Sequence, residues 1–259
     1  MIKENGARYL EEPIVRSAPQ ILYGSAFPNR RTRVGTHEDS RRIDVYQGAS
    51  DFFLGPGEDL VIVEGLDLDF EAELAVILDA VPQGITVCES EQYVRMLTAC
   101  NDFTYRKLSE LDRASGFGFV QSKPLTSFFC RGIKLDAYKD VWNEGRPLLE
   151  LDIMLNKALF CTMSTDDMLF GFPELISHCA RTRALPFGTI ITSGSISSCV
   201  HKSLSRGCIA EYRSAVSGQC EMPFLAYGDE VSLEFFKKGD LHDSEFSLFG
   251  RLFNRMIGL

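Results

Sequence analysis

The stretch Asp69-Phe70-Glu71-Ala72-Glu73-Leu74-Ala75-Val76 decides the fold that the sequence predicts. Apolar residues alternate here with acidic ones, and the side chains of a β-strand alternate between its two faces, so the pattern predicts a buried strand. Glu71 and Glu73 then point the same way, about 6–7 Å apart along the strand. Because two buried carboxylates repel each other and lose hydration, a cation is needed beside them, and a divalent metal ion is the simplest candidate.

A third acid ends a second predicted strand. Asp102 closes the largely apolar run 96–102. Glu71, Glu73 and Asp102 would together form an all-oxygen site for a hard cation such as Mg²⁺, with Mn²⁺ or Ca²⁺ as alternatives. The opposing interpretation places Glu71 and Glu73 on the solvated face of an edge strand, because alternation often reflects one wet face. Spacing alone leaves both interpretations open.

The composition is that of an ordinary globular protein. The length of 259 residues permits one sizeable domain or two small ones, and 45% hydrophobic and 24% charged residues are usual values. The net charge is −9 and the pI is near 5.0. Because binding to a phosphate backbone requires a basic surface, nucleic acid is not an expected partner.

The cysteines and the uncharged segments indicate the cellular compartment. The eight cysteines include no Cys-x-x-Cys pair, and none has a histidine at zinc-finger spacing, so we expect reduced, mostly buried thiols. Residues 1–6 lack an apolar signal-peptide core, and the longest uncharged run, 184–200, is broken by Pro186, Gly188 and Gly194. We therefore expect a cytoplasmic protein with no membrane span.

Local patterns predict further elements. These are a loop at Tyr46–Asp51, a helix at Thr104–Ala114, strands at Leu149–Leu155 and Leu159–Thr162 around an Asn156-Lys157 turn, and a helix at Met168–Arg183. In the tail, apolar pairs recur at helical spacing, which predicts an amphipathic docking helix or a partner contact. The pairs are Leu248-Phe249, Leu252-Phe253 and Met256-Ile257.

Three motifs occur in a recognisable order. They are Glu-x-Glu in an apolar strand, Asn101-Asp102 shortly before a basic residue, and the isolated lysine of Gln121-Ser122-Lys123-Pro124. This combination resembles the fumarylacetoacetate hydrolase superfamily, most closely its bacterial fumarylacetoacetate hydrolase-like branch. Supporting segments follow in the expected order between about residues 45 and 235: Tyr46–Pro56, Gly116–Phe119, Gly188–Ser195 and Ser205–Glu211.

The resemblance implies an α+β, mainly β fold, with a rolled, barrel-like mixed β-sheet around a central site and a few peripheral helices. It divides the chain into an N-terminal segment (1–45), a catalytic domain (46–240) and a C-terminal tail (241–259). The N-terminal segment is either a lid over the site or a simple solvated segment. Members of the superfamily usually dimerise, so a homodimer is expected.

The resemblance also implies a chemistry. Members hydrolyse a C–C bond of a small β-diketo acid, of the fumarylacetoacetate or acylpyruvate type met in aromatic amino acid catabolism, through a metal-stabilised enolate. Carried over to this sequence, Glu71, Glu73 and Asp102 hold Mg²⁺, and Lys123 stabilises the developing negative charge. The residues expected to bind the small anionic oxo-acid substrate are Tyr46, Arg106, Ser193, Gly194 and Ser195.

The general base departs from the pattern of the superfamily. Where its hydrolases carry the His and Glu that activate water, this sequence has Arg30 and Thr32, and arginine stays protonated at neutral pH. His37 and Glu38, a few residues downstream, either replace that dyad or form an ordinary exposed pair. The alternatives to a hydrolase are a decarboxylase, hydratase or isomerase of 2-oxo acids on the same scaffold, or a metal-binding pseudoenzyme with a regulatory or interaction role.

Overall fold

Two β-sheets form most of the computed structural model, which describes residues 14–27, 42–134, 137, 139–197, 206–215 and 222–258. The described strands are, in chain order, β1 (Ile21–Tyr23), β2 (Tyr46–Gly48), β3 (Leu60–Val61), β4 (Leu68–Asp69), β5 (Ala72–Leu78), β6 (Val94–Asp102), β7 (Thr104–Tyr105), β8 (Thr126–Phe128), β9 (Trp142–Asn143), β10 (Arg146–Pro147), β11 (Leu149–Leu155), β12 (Ala158–Ser164), β13 (Ile190–Thr192), β14 (Glu230–Lys237) and β15 (Arg251–Ile257). The described helices are α1 (Val87–Ser90), α2 (Arg106–Ser115), α3 (Phe172–Cys179) and α4 (Ile209–Ala215), with 3₁₀ turns at Glu91–Tyr93, Lys139–Val141 and Ser244–Phe246. The expected α+β, mainly β class is confirmed.

The larger sheet contains the stretch that decides the fold. Its strand order is β2-β1-β13-β5-β6-β8, with β1 and β13 parallel and the other neighbours antiparallel. The single strand predicted for 69–76 is interrupted, because β4 ends at Asp69 and β5 begins at Ala72. All seven residues of β5 are buried, and β5 lies between β13 and β6. The edge-strand interpretation of Glu71 and Glu73 is therefore wrong.

The smaller sheet has the order β12-β11-β14-β15-β3. The predicted hairpin of β11 and β12 is present, and both turn residues, Asn156 and Lys157, have positive φ angles of 51° and 66°. Such a turn matches the right-handed twist of the two strands that it joins. β15 completes this sheet, antiparallel to β14 and parallel to β3.

The docking helix predicted for the tail is wrong, because residues 251–257 form β15. Leu252, Asn254 and Met256 are buried in alternation, which is the period of a strand. Asn254 concealed this period in the sequence because it is polar. Its side-chain NH₂ group finds acceptors inside the protein, where Nδ2 donates to the carbonyl oxygens of Gly55 and Glu58 at 3.0 and 2.9 Å. The tail is thus an integral strand of the smaller sheet.

Three other local predictions are corrected. The loop expected at Tyr46–Asp51 begins with β2, whose Tyr46 pairs with Tyr23. The helix expected at Met168–Arg183 is confined to α3, because Gly171 caps it and Pro173 occupies its first turn. The helix expected at Thr104–Ala114 begins at Arg106, and its Leu111 is 67% exposed.

Part of the predicted N-terminal segment belongs to the larger sheet. β1 lies between β2 and β13 as a buried strand. The lid prediction for the rest of segment 1–45 falls largely on residues 1–13 and 28–41, which lie outside the described part of the chain.

The two faces of the larger sheet pack differently. One face joins the main hydrophobic core with the smaller sheet, through residues such as Leu74, Val76 and Leu233. The opposite face carries a smaller buried cluster that includes Tyr23, Ala75, Cys100 and Phe128. Tyr46 packs against this smaller cluster, which lies next to the acidic residues described below.

The six described cysteines are free thiols, and three of them, Cys100, Cys130 and Cys208, are buried. Within the described residues, no helix has the length and apolarity needed to cross a bilayer. The longest of them, α2, has only 10 residues, whereas a spanning helix needs about 20.

Candidate metal centre

Three carboxylates converge at one end of the larger sheet. One oxygen from each of Glu71, Glu73 and Asp102 lies within 4.8 Å of the others. The pairing of β5 with β6 places Ala72 opposite Asn101, and the backbone N–H of Asp102 donates to the carbonyl oxygen of Glu71 at 2.9 Å. This register brings together the three residues that the sequence proposed as metal ligands.

Lys123 bridges two of these carboxylates. Its Nζ lies 2.7 Å from Glu71 Oε2 and 2.5 Å from Asp102 Oδ2, and it also donates to Thr104 Oγ1 at 2.6 Å. Burial of the lysine lowers its pKa, but Asp102, Glu71 and Glu73 raise the pKa more, so that it lies above its usual value. Lys123 is therefore a fixed ammonium ion and not a proton acceptor.

Arg106 holds Glu71 from the other side. Its Nη1 lies 2.5 Å from Glu71 Oε1, and its Nε donates to Asp69 Oδ2 at 2.8 Å. Burial would raise the pKa of Glu71, but Lys123 and Arg106 lower it to about 2. Arg106 thus positions Glu71, while its predicted contact with a substrate stays a prediction.

Asp69 is a functional neighbour that the sequence reasoning missed. It is fully buried and accepts hydrogen bonds from the backbone N–H groups of Ile209 and Ala210, at 2.8 and 2.9 Å, where α4 begins. Asp69 precedes Glu71 and Glu73 at the same two-residue spacing, so the signal was present in the quoted stretch. It links α4 to Arg106 and, through Arg106, to Glu71.

Glu73 is the carboxylate best suited to an additional cation. It is 1% exposed, and its Oε2 has no hydrogen-bond partner within the described structure. Burial and the negative charges of Asp102 and Glu71 raise its pKa well above the usual value. An oxygen atom that is buried, unpartnered and next to like charges is stabilised by a metal ion.

The charge balance of the site also fits a divalent metal ion. Four carboxylates, from Asp69, Glu71, Glu73 and Asp102, lie here with two cations, those of Arg106 and Lys123. With all of them ionised, the formal charge is −2. Mg²⁺, Mn²⁺ and Ca²⁺ supply the opposite charge and prefer oxygen ligands.

Tyr46 borders the acidic site, as its predicted role in substrate binding requires. Its hydroxyl donates to Asp102 Oδ2 at 2.6 Å, and its ring meets Phe119 edge-on at 4.8 Å between centroids. Burial and the nearby Asp102 raise the pKa of Tyr46 well above its usual value, so the phenol is protonated.

The two serines of the loop Ser193–Ser195 differ in their hydrogen bonds. Ser193 is fully buried, and its Oγ accepts a hydrogen bond from the Leu74 backbone N–H at 3.0 Å, so it ties the loop to β5. A side chain at Gly194 would place Cβ 2.4 Å from the Gly24 carbonyl oxygen, and its φ of +77° also favours glycine. The Oγ of Ser195 is buried and has no partner in the described structure, and its predicted contact with the substrate stays a prediction.

The structure does not describe the part of the chain that contains the predicted base. His37 and Glu38, together with Arg30 and Thr32, are outside the described residues. The assignment of His37 and Glu38 as a base therefore stays a prediction.

Replacing Asp69 with alanine should strongly destabilise the fold. Removal of this carboxylate leaves the 18%-exposed side chain of Arg106 without one of its two partners, and breaking a buried ion pair costs about 3–5 kcal/mol. Urea denaturation measures this loss. The matched control is Asp79→Ala, because the Asp79–Arg95 pair is 44% and 51% exposed and such pairs contribute about 1 kcal/mol or less. Equal losses in the two variants would contradict the bridging role of Asp69.

Comparison with known families agrees with the motifs. The model of the fumarylacetoacetate (FAA) hydrolase C-terminal domain matches residues 22–256, which is most of the chain. This match includes the three carboxylates, Lys123 and all of β15 except Ile257.

Curated relatives resemble the chain over about half of its length. An uncharacterized protein of Pyrococcus horikoshii is 26% identical over 142 residues, which cover 54% of this chain and 60% of the relative. The oxaloacetate tautomerase YisK of Bacillus subtilis is 29% identical over 127 residues, covering 49% of this chain and 40% of the relative. The matched part thus spans less than two thirds of the length of these relatives.

A solved structure resembles nearly the whole chain. The fumarylpyruvate hydrolase of Pseudomonas aeruginosa, in complex with Mn²⁺ and pyruvate, has a TM-score of 0.67 and 12% sequence identity, covering 94% of this chain and 91% of its own. At this identity the likeness concerns the fold alone. On the strength of the family model that matches residues 22–256, this chain belongs to the fumarylacetoacetate hydrolase family.

Proposed function

We propose that this protein is a divalent-metal-dependent enzyme that acts on small 2-oxo acids. The observation that carries the proposal is the convergence of Glu71, Glu73 and Asp102 within 4.8 Å of one another, beside the ammonium ion of Lys123. The reaction we propose first is hydrolysis of a C–C bond in a β-diketo acid of the fumarylacetoacetate or acylpyruvate type. Its cofactor is Mg²⁺ in this proposal, with Mn²⁺ or Ca²⁺ as alternatives.

In this proposal, some residues of the site bind the metal ion or the substrate, and Lys123 stabilises the developing negative charge. A metal ion bound by the three carboxylates supplies Lewis-acid polarisation of oxo groups. Lys123 supplies a buried positive charge for the negative charge that develops on the substrate when the C–C bond breaks. Tyr46, whose hydroxyl contacts Asp102, and Ser195, whose buried Oγ has no partner in the described structure, would orient the substrate.

A second candidate is a tautomerase or decarboxylase of 2-oxo acids. It is favoured because the described groups in contact with the carboxylates are cations and protonated hydroxyls, and none of these is a base that can activate water. Hydrolysis requires such a base, which His37 or Glu38 would have to supply. Decarboxylation also produces an enolate-like charge and requires no base, because the C–C bond breaks with release of CO₂. Tautomerisation consumes no water but still needs a group that accepts the proton from carbon. The relative named oxaloacetate tautomerase agrees with this alternative.

The test is a product analysis with the purified protein after removal of metal by EDTA. Acylpyruvate, fumarylacetoacetate and oxaloacetate are each incubated with no metal, Mg²⁺, Mn²⁺ or Ca²⁺, and products are followed by NMR. Two acid products from a β-diketo acid, formed only with metal, support the hydrolase. Metal-dependent conversion of oxaloacetate alone supports the second candidate. If no substrate reacts although metal binds, the hydrolase proposal is wrong, and another reaction or the metal-binding pseudoenzyme is favoured.

The proposal also covers the type of substrate, the oligomeric state and the cellular location. We expect a small anionic substrate and a homodimer from the family, and a cytoplasmic location from the free thiols. Sedimentation of the purified protein measures the oligomeric state.

A further inference from the structure

Asp102 is fully buried, and a hydroxyl group holds each of its two carboxylate oxygens. Tyr46 donates to Oδ2 at 2.6 Å, and Thr126 donates to Oδ1 at 3.1 Å. Antiparallel pairing of β6 with β8 sets Thr126 directly opposite Asp102. The orientation of this carboxylate is therefore determined by neighbours on both sides.

The hydrogen bond from Thr126 has a defined direction that extends to a second tyrosine. A threonine hydroxyl has a single proton, and Thr126 uses it for the carboxylate of Asp102, which can only accept. Its close contact with Tyr23 Oη must therefore be a hydrogen bond that Tyr23 donates. The result is a directed chain from Tyr23 through Thr126 to Asp102.

Contacts with β2 fix the position of Tyr23. Tyr23 is 2% exposed and is paired with Tyr46 across β1 and β2, with ring centroids 4.7 Å apart and planes within 8° of parallel. Gly48 makes room for the ring, because a Cβ atom there would lie 2.4 Å from Tyr23 Cε2. Burial and the charge of Asp102 raise the pKa of Tyr23 well above its usual value, so the phenol keeps the proton that it donates.

We propose that Tyr23 is a positioning residue that fixes the Asp102 carboxylate towards Glu71 and Glu73, and so strengthens divalent metal binding without touching the metal. This inference rests on the proposed metal-dependent function. Hydrogen-bond partners that orient a ligating carboxylate typically contribute a factor of about 10–100 in metal affinity. Tyr23 differs from Tyr46, which contacts Asp102 directly, because it acts only through Thr126.

The experiment measures Mn²⁺ affinity of the metal-free protein by titration followed with electron paramagnetic resonance. Tyr23→Phe keeps the stacked ring and removes the donor, and Thr126→Val removes the middle of the chain with little change of shape. Each single variant should bind Mn²⁺ about 10–100-fold more weakly. The double variant should be no weaker than Thr126→Val, because both changes cut the same chain. Thr126→Ser, which keeps the hydroxyl, should bind like the wild type.

The matched control is Tyr105→Phe. Tyr105 is also buried, at 4% exposure, and its hydroxyl accepts the Val63 backbone N–H at 2.8 Å, in a contact that does not include Asp102. This variant should lose stability in thermal melts and keep its Mn²⁺ affinity. An unchanged Tyr23→Phe affinity, additive losses in the double variant, or an equal loss in Tyr105→Phe would each overturn the positioning role. If the wild type binds no Mn²⁺ at all, the proposed function fails, and this inference fails with it.

Discussion

Replacing Glu73 with glutamine is expected to weaken Mn²⁺ binding at least about 100-fold and to remove metal-dependent turnover, since even partners of a ligand contribute about 10–100-fold. Glutamine keeps the size of the side chain and removes its charge. The change should nevertheless stabilise the metal-free protein, because burial and the charges of Asp102 and Glu71 raise the pKa of Glu73 in the folded state. Function and stability therefore change in opposite directions.

The sign of the pH dependence follows from the same shift. A carboxyl group whose folded pKa is raised binds its proton more tightly in the folded state, so the wild type loses stability as pH rises from the unfolded pKa towards the folded one. Glutamine does not titrate, so the advantage of the variant should grow over that pH range. Urea denaturation of both metal-free proteins at several pH values measures the difference. If the stability advantage of the variant shrinks as pH rises, Glu73 is not a buried carboxylate that burial and the charges of Asp102 and Glu71 destabilise.

Replacing Lys123 with methionine is expected to lower kcat about 10²–10³-fold, the usual effect of removing one charge-stabilising group from a buried site. Methionine approximates the shape of lysine without its charge. Because Lys123 lies 2.5–2.7 Å from Asp102 and Glu71, its removal takes away a cation that competes for their oxygens. The variant should therefore bind Mn²⁺ at least as tightly as the wild type.

The control for this variant is Lys107→Met. The Lys107 side chain is 57% exposed, and its Nζ contacts the Gly65 carbonyl oxygen and Asp67 rather than Glu71 or Asp102, so neither turnover nor metal affinity should change. Steady-state kinetics and Mn²⁺ titration are measured on both variants. Loss of Mn²⁺ binding together with turnover in Lys123→Met would show that the lysine supports the structure of the site and not its chemistry.

Sequence reasoning identified the parts of the site that follow a local pattern. The two-residue spacing of Glu71 and Glu73 was sufficient to group their side chains, because that spacing directly encodes one face of a strand. Asp69 obeys the same spacing and was missed because it appeared to be only the start of the strand. In the structure it is the residue that joins Arg106 to α4.

The parts that escaped sequence reasoning depend on partners far away in the chain. Tyr23 and Thr126 are 103 residues apart and lie on β1 and β8, which three other strands separate in the larger sheet, so neither carries a local signal. The tail was predicted as a helix because the partner of its polar residue is also distant in the chain. The polar side chain of Asn254 donates to the carbonyl oxygens of Gly55 and Glu58, and no pattern within the tail predicts these distant acceptors.

The parallel pairs β1–β13 and β3–β15 have a consequence for the synthesis of the protein. They join residues 169 and 196 positions apart, such as Ile21 with Ile190 and Leu60 with Met256. At about 5–20 residues per second on the ribosome, β3 is made roughly 10–40 s before its partner β15. Pairing of such distant segments also slows folding, since a large loop must close first. The nascent chain therefore carries unpaired strand edges for much of its synthesis, a period in which chaperones would limit aggregation.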